Sequence, residues 1–216
     1  MLFVACSGFP VPVSRYWGQF ASVEISDTEL GIPGAGTVRR WLRESPKGFA
    51  FTALAPKALG ESGFRRTKEN AALVEEFAAF ADTLGAQAVV FQAPPDFEAS
   101  KATKTALRSF VGWLPDSLPS IVLDLPAWGT EDAEAVMDKR PVSLAYDPLL
   151  FDAPAPGELV YVRLPGPAGH RSRYDEESIE NIATHLEGIE ADTVFCVFRN
   201  IDMHANGVSL RERLGV

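Results

Sequence analysis

Glu24, Asp124 and Arg163 each sit in or at the end of a short β-branched or aromatic run, where a charge is costly unless it is used. In the run 20–26, Phe20, Ser22, Glu24 and Ser26 alternate with Ala21, Val23 and Ile25, so the glutamate lies on the polar face. If the apolar face packs on helices, Glu24 points inward and needs a cation or hydrogen-bond donors beside it. Arg163, opposite Val162 and Leu164 in the run 159–164, needs the converse, and Asp124 closes the run 120–124. The three are expected to meet as a charge cluster with two readings. Either it is an ion-pair network that fills the interior, or Glu24 or Asp124 is a catalytic general base while Arg163 stabilises developing charge.

The segment that follows reads Leu164-Pro165-Gly166-Pro167-Ala168-Gly169-His170-Arg171-Ser172-Arg173. Amides exposed by glycine, together with guanidiniums, suit a phosphate or carboxylate. Arg163, Arg171, Arg173 and Arg199 are therefore the expected substrate-binding cations. With Arg15, Lys57, Arg65, Arg66 and Lys68 they make nine of the 20 basic residues in predicted strand-to-helix connections or strand ends. An anion-binding mouth is the expectation; a solvated, salt-bridged loop surface is the alternative.

Other chemistries find less support. His170, His185 and His204 are the only histidines, and Asp202 with His204 is the one pair at ligand-like spacing. A catalytic metal needs three converging ligands with a supporting shell, so no metal site is expected, and Asp202 reads as a helix cap. No Gly-x-Ser-x-Gly occurs, and Ser7 in Cys6-Ser7-Gly8 has no evident histidine base. Cys6 and Cys196 should pack as small hydrophobes. No glycine spacing of the Walker or dinucleotide type points to a nucleotide cofactor. Trp17, Trp41, Trp113 and Trp128 read as packing residues, although Trp128 stands near enough to a strand end to reach a pocket.

These residues have to be positioned by eight strand-like runs: 2–7, 20–26, 49–55, 87–92, 120–124, 142–146, 159–164 and 193–199. Nearly every gap has room for a helix. Strands alternating with helices imply parallel pairing through right-handed crossovers. Eight such units predict an α/β protein, a compact (β/α)8 TIM-type barrel with some helices shortened or missing, in one domain spanning 1–216. Its chemistry belongs at the carboxyl ends of the strands. The clearest helices are 67–84, capped by Thr67, and 100–113, capped by Ser100. Weaker patterns cover 37–44, 130–137, 174–186 and 205–214. The proline-bearing segments 9–18 and 147–157 should hold at most a turn. The connections 56–66 and 165–173 are the longest and the expected carriers of function.

The chain's 216 residues carry a net charge of −9, a field that repels nucleic acid and anionic membrane without excluding a local basic pocket. No apolar run is long enough to cross a bilayer. The opening Met1-Leu2-Phe3-Val4-Ala5 reads as a strand rather than a signal peptide. Two cysteines make no disulfide framework, which favours a cytoplasmic location. The short connections leave little material for an interface arm, so a monomer or small homo-oligomer is expected.

At the strand ends the chain resembles the YecE-like family, domain of unknown function 72. The resemblance rests on Cys6-Ser7-Gly8-Phe9, Val23-Glu24-Ile25-Ser26-Asp27-Thr28, Phe51-Thr52-Ala53-Leu54-Ala55-Pro56-Lys57, Phe91-Gln92-Ala93-Pro94-Pro95-Asp96-Phe97, Tyr161-Val162-Arg163-Leu164-Pro165-Gly166 and Phe198-Arg199-Asn200. It implies a barrel of this type and a polar pocket that includes Glu24, Gln92, Asp124, Arg163 and Asn200, with Gln92 and Asn200 on the substrate side. It implies no reaction. The chain departs from the family at Leu54, Pro165 and Arg199, which replace lysine, histidine and asparagine. It departs also in the shortened Asp124-Leu125-Pro126-Ala127-Trp128. The leading expectation is a small-molecule protein that binds an anionic or phosphorylated ligand and hydrolyses or isomerises it. One alternative is a non-catalytic relative that kept the scaffold. Another is a nucleic-acid-processing hydrolase resembling apurinic endonuclease barrels, disfavoured by the acidic total and the scarcity of histidine.

Overall fold

A computed structural model describes residues 1–136, 141–155 and 157–216. The strands are β1 (Leu2–Cys6), β2 (Ser22–Ile25), β3 (Ala50–Leu54), β4 (Ala88–Gln92), β5 (Ser120–Asp124), β6 (Ser143–Tyr146), β7 (Leu159–Leu164) and β8 (Thr193–Phe198). They form an eight-stranded sheet in the order β1-β8-β7-β6-β5-β4-β3-β2. A parallel bridge between Ser7 and Glu24 joins the strands at the two ends of that order. The fold class is the expected (β/α)8 TIM-type barrel, and every predicted run contains a strand.

The helices are α1 (Val13–Tyr16), α2 (Ala35–Glu44), α3 (Lys57–Glu61), α4 (Lys68–Leu84), α5 (Lys101–Val111), α6 (Thr130–Glu134), α7 (Glu176–Glu187) and α8 (Met203–Leu214). Thr67 caps α4 by accepting from the Asn70 amide, and Ser100 closes a capping box with Thr103 at the start of α5. The segment 9–18 holds only the single turn of α1, as its prolines require. Of the expected 130–137, α6 covers Thr130–Glu134, Ala135 and Val136 form a turn, and Met137 lies outside the described residues. The described part of 147–157 carries turns and no helix, with Pro156 outside it.

One expectation needs correction. The connection 56–66 is not a plain loop: α3 fills its first half. Pro56, at φ −51°, sets the entry, and Ala58 and Leu59 favour helix. Gly60 permits the approach, because a Cβ there would stand 2.3 Å from the Gln92 carbonyl oxygen.

Tertiary contacts group the chain into two compact units. The first comprises Met1–Glu24, Ser45–Ala50 and Ala145–Val216; the second comprises Ile25–Glu44 and Phe51–Leu144. In the first unit β1, β8 and β7 run in register, and Phe3 stacks on its partner Phe195 at 5.0 Å. Tyr16 and Phe20 stack at 4.6 Å beside them. The second unit packs Phe64, Phe91, Phe97 and Phe110 edge-on or tilted at 5.2 to 5.6 Å. Burying an aromatic ring of this kind contributes on the order of 2–3 kcal/mol each. Among the described residues no helix is long and apolar enough to cross a membrane.

Candidate functional site

The site is built where β1, β2 and β7 end. Ser7 follows the last residue of β1, and the Gly8 amide donates to the Glu24 carbonyl at 2.7 Å, which fixes the two strand ends against each other. Along β7, Tyr161 and Arg163 stand two residues apart and so share a face. All three side chains converge on the Glu24 carboxylate. Its Oε1 accepts from Ser7 Oγ at 2.6 Å and from Arg163 Nη2 at 2.9 Å. Its Oε2 accepts from Arg163 Nε at 3.1 Å and from the Tyr161 hydroxyl at 2.9 Å. Glu24 and Tyr161 are fully buried, and Arg163 is 3% exposed.

Both oxygens of the carboxylate are therefore in use, and the arginine grips them side-on with two parallel donors. Burial pushes the Glu24 carboxyl up, but the Arg163 charge and hydrogen bonds outweigh it. The Ser7 hydroxyl and the charge of Arg199 add to them, so Glu24 is held below the usual carboxylate range. A general base needs a lone pair turned to the substrate and a pKa near the working pH. Glu24 has neither. It fixes Arg163.

Arg199, half-buried, lies one residue beyond β8, where its amide donates to the Leu164 carbonyl at 3.0 Å. The connections after β7 and β8 are fastened to each other here. His170 Nδ1 bonds the Arg199 carbonyl at 2.5 Å, and the Ile201 amide donates to the His170 carbonyl at 2.7 Å. Asn200 Nδ2 donates to the Ser172 carbonyl at 3.2 Å and to Asn206 Oδ1 at 2.9 Å. Arg173, exposed, pairs with Asp202 at 2.7 Å. The expected guanidinium set is thus divided. Arg163 is committed to Glu24, Arg173 to Asp202, and Arg171 is exposed. Asp202 does occupy the N-cap position of α8, but its side chain makes no cap bond and turns to Arg173 instead.

Asp124 and Gln92 belong to the second unit. They are register partners at the ends of β5 and β4, both half-buried, and the Asp124 carbonyl accepts from the Ala93 amide at 2.8 Å.

A second carboxylate at a strand end was not singled out from the sequence. Asp147, just past β6, is 3% exposed. Its Oδ1 accepts from the Leu149 amide at 2.9 Å and its Oδ2 from the Tyr174 hydroxyl at 3.0 Å. The same hydroxyl accepts from the Gly166 amide at 2.9 Å, which ties Asp147 to the connection after β7. Gly166, at φ +103°, turns where a side chain would strike the Gly169 carbonyl. Burial outweighs these two neutral donors and raises the Asp147 carboxyl above its ordinary value. The residue hid because 147–157 read only as proline-rich loop. Tyr161 was recoverable in principle, since it stands two residues before Arg163 on the same face.

The remaining candidates resolve into packing or local bonds. Cys6 and Cys196 are buried, and burial pushes the Cys6 thiol up to about 12, so both pack. Trp128 is buried on Phe97 and donates to its carbonyl at 2.5 Å, a packing role. His185 meets the Tyr146 hydroxyl at 2.8 Å, and His204 meets Gln19 Oε1 at 2.8 Å, away from the bond Asp202 makes. Among the described residues no group of three His, Cys, Asp or Glu side chains converges to hold a metal ion.

No curated protein matches the chain. Solved structures do. A DUF72 family protein from Enterococcus faecalis V583 superposes with a TM-score of 0.80 at 19% identity, covering 100% of this chain and 98% of that one. A DUF72 family protein from Thermotoga maritima MSB8 gives 0.75 at 16% identity, covering 100% of both chains. A xylose isomerase-like TIM barrel protein from Mycobacterium smegmatis, in complex with magnesium, gives 0.57 at 14% identity over 93% of this chain and 84% of that one. At these identities the superpositions speak for the fold. The family model described as "Protein of unknown function DUF72" matches residues 12–215, and the chain belongs to that family.

Proposed function

We propose that the protein binds an anionic or phosphorylated small molecule at the carboxyl ends of β1, β2, β7 and β8, with Arg199 and Arg163 as its cationic contacts. One observation carries the proposal. A fully buried, four-bonded Glu24 orients one guanidinium while a second, Arg199, adds its charge beside it. Two guanidinium charges act on this one buried carboxylate, Arg163 through direct bonds and Arg199 through its nearby charge, in a chain of net charge −9. A preorganised arginine also loses little side-chain freedom when a ligand arrives.

Binding is favoured over hydrolysis or isomerisation through Glu24, whose lone pairs are engaged. Among the described residues no group of His, Cys, Asp and Glu side chains converges to hold an ion such as the magnesium bound by the Mycobacterium smegmatis neighbour. Asp202 is committed to Arg173 and His204 to Gln19, so the described residues do not fit such an ion.

Inorganic phosphate tests the reading by thermal shift. Phosphate at about 100 times its dissociation constant should stabilise the fold by about 2.7 kcal/mol. Added sodium chloride should erode that gain. Arg199→Gln should reduce it, whereas Lys57→Gln, whose lysine pairs with Glu61 on an exposed helix face, should not. A shift that survives Arg199→Gln unchanged would place the anion elsewhere.

A further inference from the structure

The Ser7 hydroxyl narrows the ligand further, on the reading that the anion binds at this mouth. Its proton is directed at Glu24 Oε1 across 2.6 Å. The acceptor is an ionised, buried carboxylate, a stronger partner than any neutral oxygen, so the proton stays there. The Ser7 oxygen then has only lone pairs to offer. It is half-buried rather than sealed, and its oxygen has no other hydrogen-bond partner among the described residues. A ligand group that approaches it has to be a donor.

Register places this acceptor beside the proposed anion contact. Cys6 pairs with Phe198, so Ser7 and Arg199 are the next step along neighbouring parallel strands, which run about 4.8 Å apart. Phe3 and Phe195, paired on the same two strands, stack at 5.0 Å and so share a face. Ser7 and Arg199 each lie an even number of residues further on, which returns them to that face. Arg199 is also close enough for its charge to act on Glu24, the carboxylate that Ser7 bonds.

We infer that the ligand is a hydroxylated anion, a polyol phosphate or hydroxy acid, whose hydroxyl donates to Ser7 Oγ while its anionic group lies on Arg199. Ser7 reads the hydroxyl and Arg199 reads the charge. An anion without a neighbouring hydroxyl leaves the serine oxygen unanswered.

Calorimetric titration with glycerol 3-phosphate and propyl phosphate, which differ in their hydroxyls, separates the two contributions. The full chain should bind glycerol 3-phosphate about tenfold more tightly, the worth of one well-made hydrogen bond. Ser7→Ala should abolish that preference, so that glycerol 3-phosphate and propyl phosphate bind that variant within about twofold of each other. Ser7→Thr, which keeps the hydroxyl, should restore the preference and shows that the position tolerates change. Arg199→Gln should weaken both compounds. Equal binding of the two by the unaltered protein, or a preference that persists in Ser7→Ala, would overturn the role of Ser7 and leave anion binding intact. Binding of neither compound, nor of inorganic phosphate, would overturn both readings together.

Discussion

Two carboxylates lie buried in the same unit of this protein, and their surroundings drive them in opposite directions. Glu24 has a guanidinium and two hydroxyls and is held ionised; Asp147 has one amide and one phenol and is pushed toward its neutral form. Both are nearly inaccessible, and both oxygens of each accept hydrogen bonds. The difference is the cation. Hydrogen bonds from neutral donors do not replace the solvation an anion loses on burial, whereas an opposite charge with matched geometry can. Glu24 is accordingly a fixed anchor, and Asp147 is the carboxylate of the pair whose charged form burial disfavours.

The largest effect expected is from Glu24→Gln. It leaves Arg163 buried beside a neutral amide, and removing one partner of a buried pair costs about 3–5 kcal/mol. Urea unfolding at neutral pH should show that loss. A cost under about 1 kcal/mol would mean that Arg163 finds another partner at no penalty. The cost should also shrink in acid. The lowered Glu24 pKa makes its contribution fully present above the unfolded value of about 4.3 and lost as pH falls through the lower folded value.

Asp147→Asn should cost less, about 1–2 kcal/mol, because the amide keeps an acceptor for Tyr174 or Leu149 but adds a donor with no place to go. Its pH dependence should run the other way. The raised Asp147 pKa means that the folded protein bears a charged-carboxylate penalty above that value and sheds it as pH falls. The substitution should therefore look worse near pH 4 than near pH 7. Unfolding series for both variants across this range check the contrast, and parallel trends would erase it.

The frame was open to sequence reading, and the bonds within it only in part. Short β-branched and aromatic runs and the helical gaps between them pointed to eight strands, and Thr67 and Ser100 announced their helices by their capping chemistry. Glu24 and Arg163 were foreseeable as partners, because the alternation of 20–26 and 159–164 turned a charge inward on two strands of one barrel. Their roles were not. Whether a buried carboxylate is a base or a brace depends on how many of its lone pairs are taken, and Ser7 and Tyr161 reach it from 17 and 137 residues away in sequence. The partners of the basic residues were hidden for a similar reason. Composition gathers Arg163, Arg171 and Arg173 into one cationic loop, while the fold spends two of them on Glu24 and Asp202. Asp147 was hidden by its prolines, since a loop is read for what breaks a helix and not for what a distant tyrosine can reach.

A double-mutant cycle at Glu24 and Arg163 tests most directly whether the carboxylate exists to hold the arginine. Unfolding free energies in urea at pH 7 are needed for the unaltered chain, Glu24→Gln, Arg163→Met and the double variant. The double variant is expected to lose much less than the sum of the two single losses, with a coupling of about 2 kcal/mol or more. Losses that simply add, with coupling near zero, would contradict it.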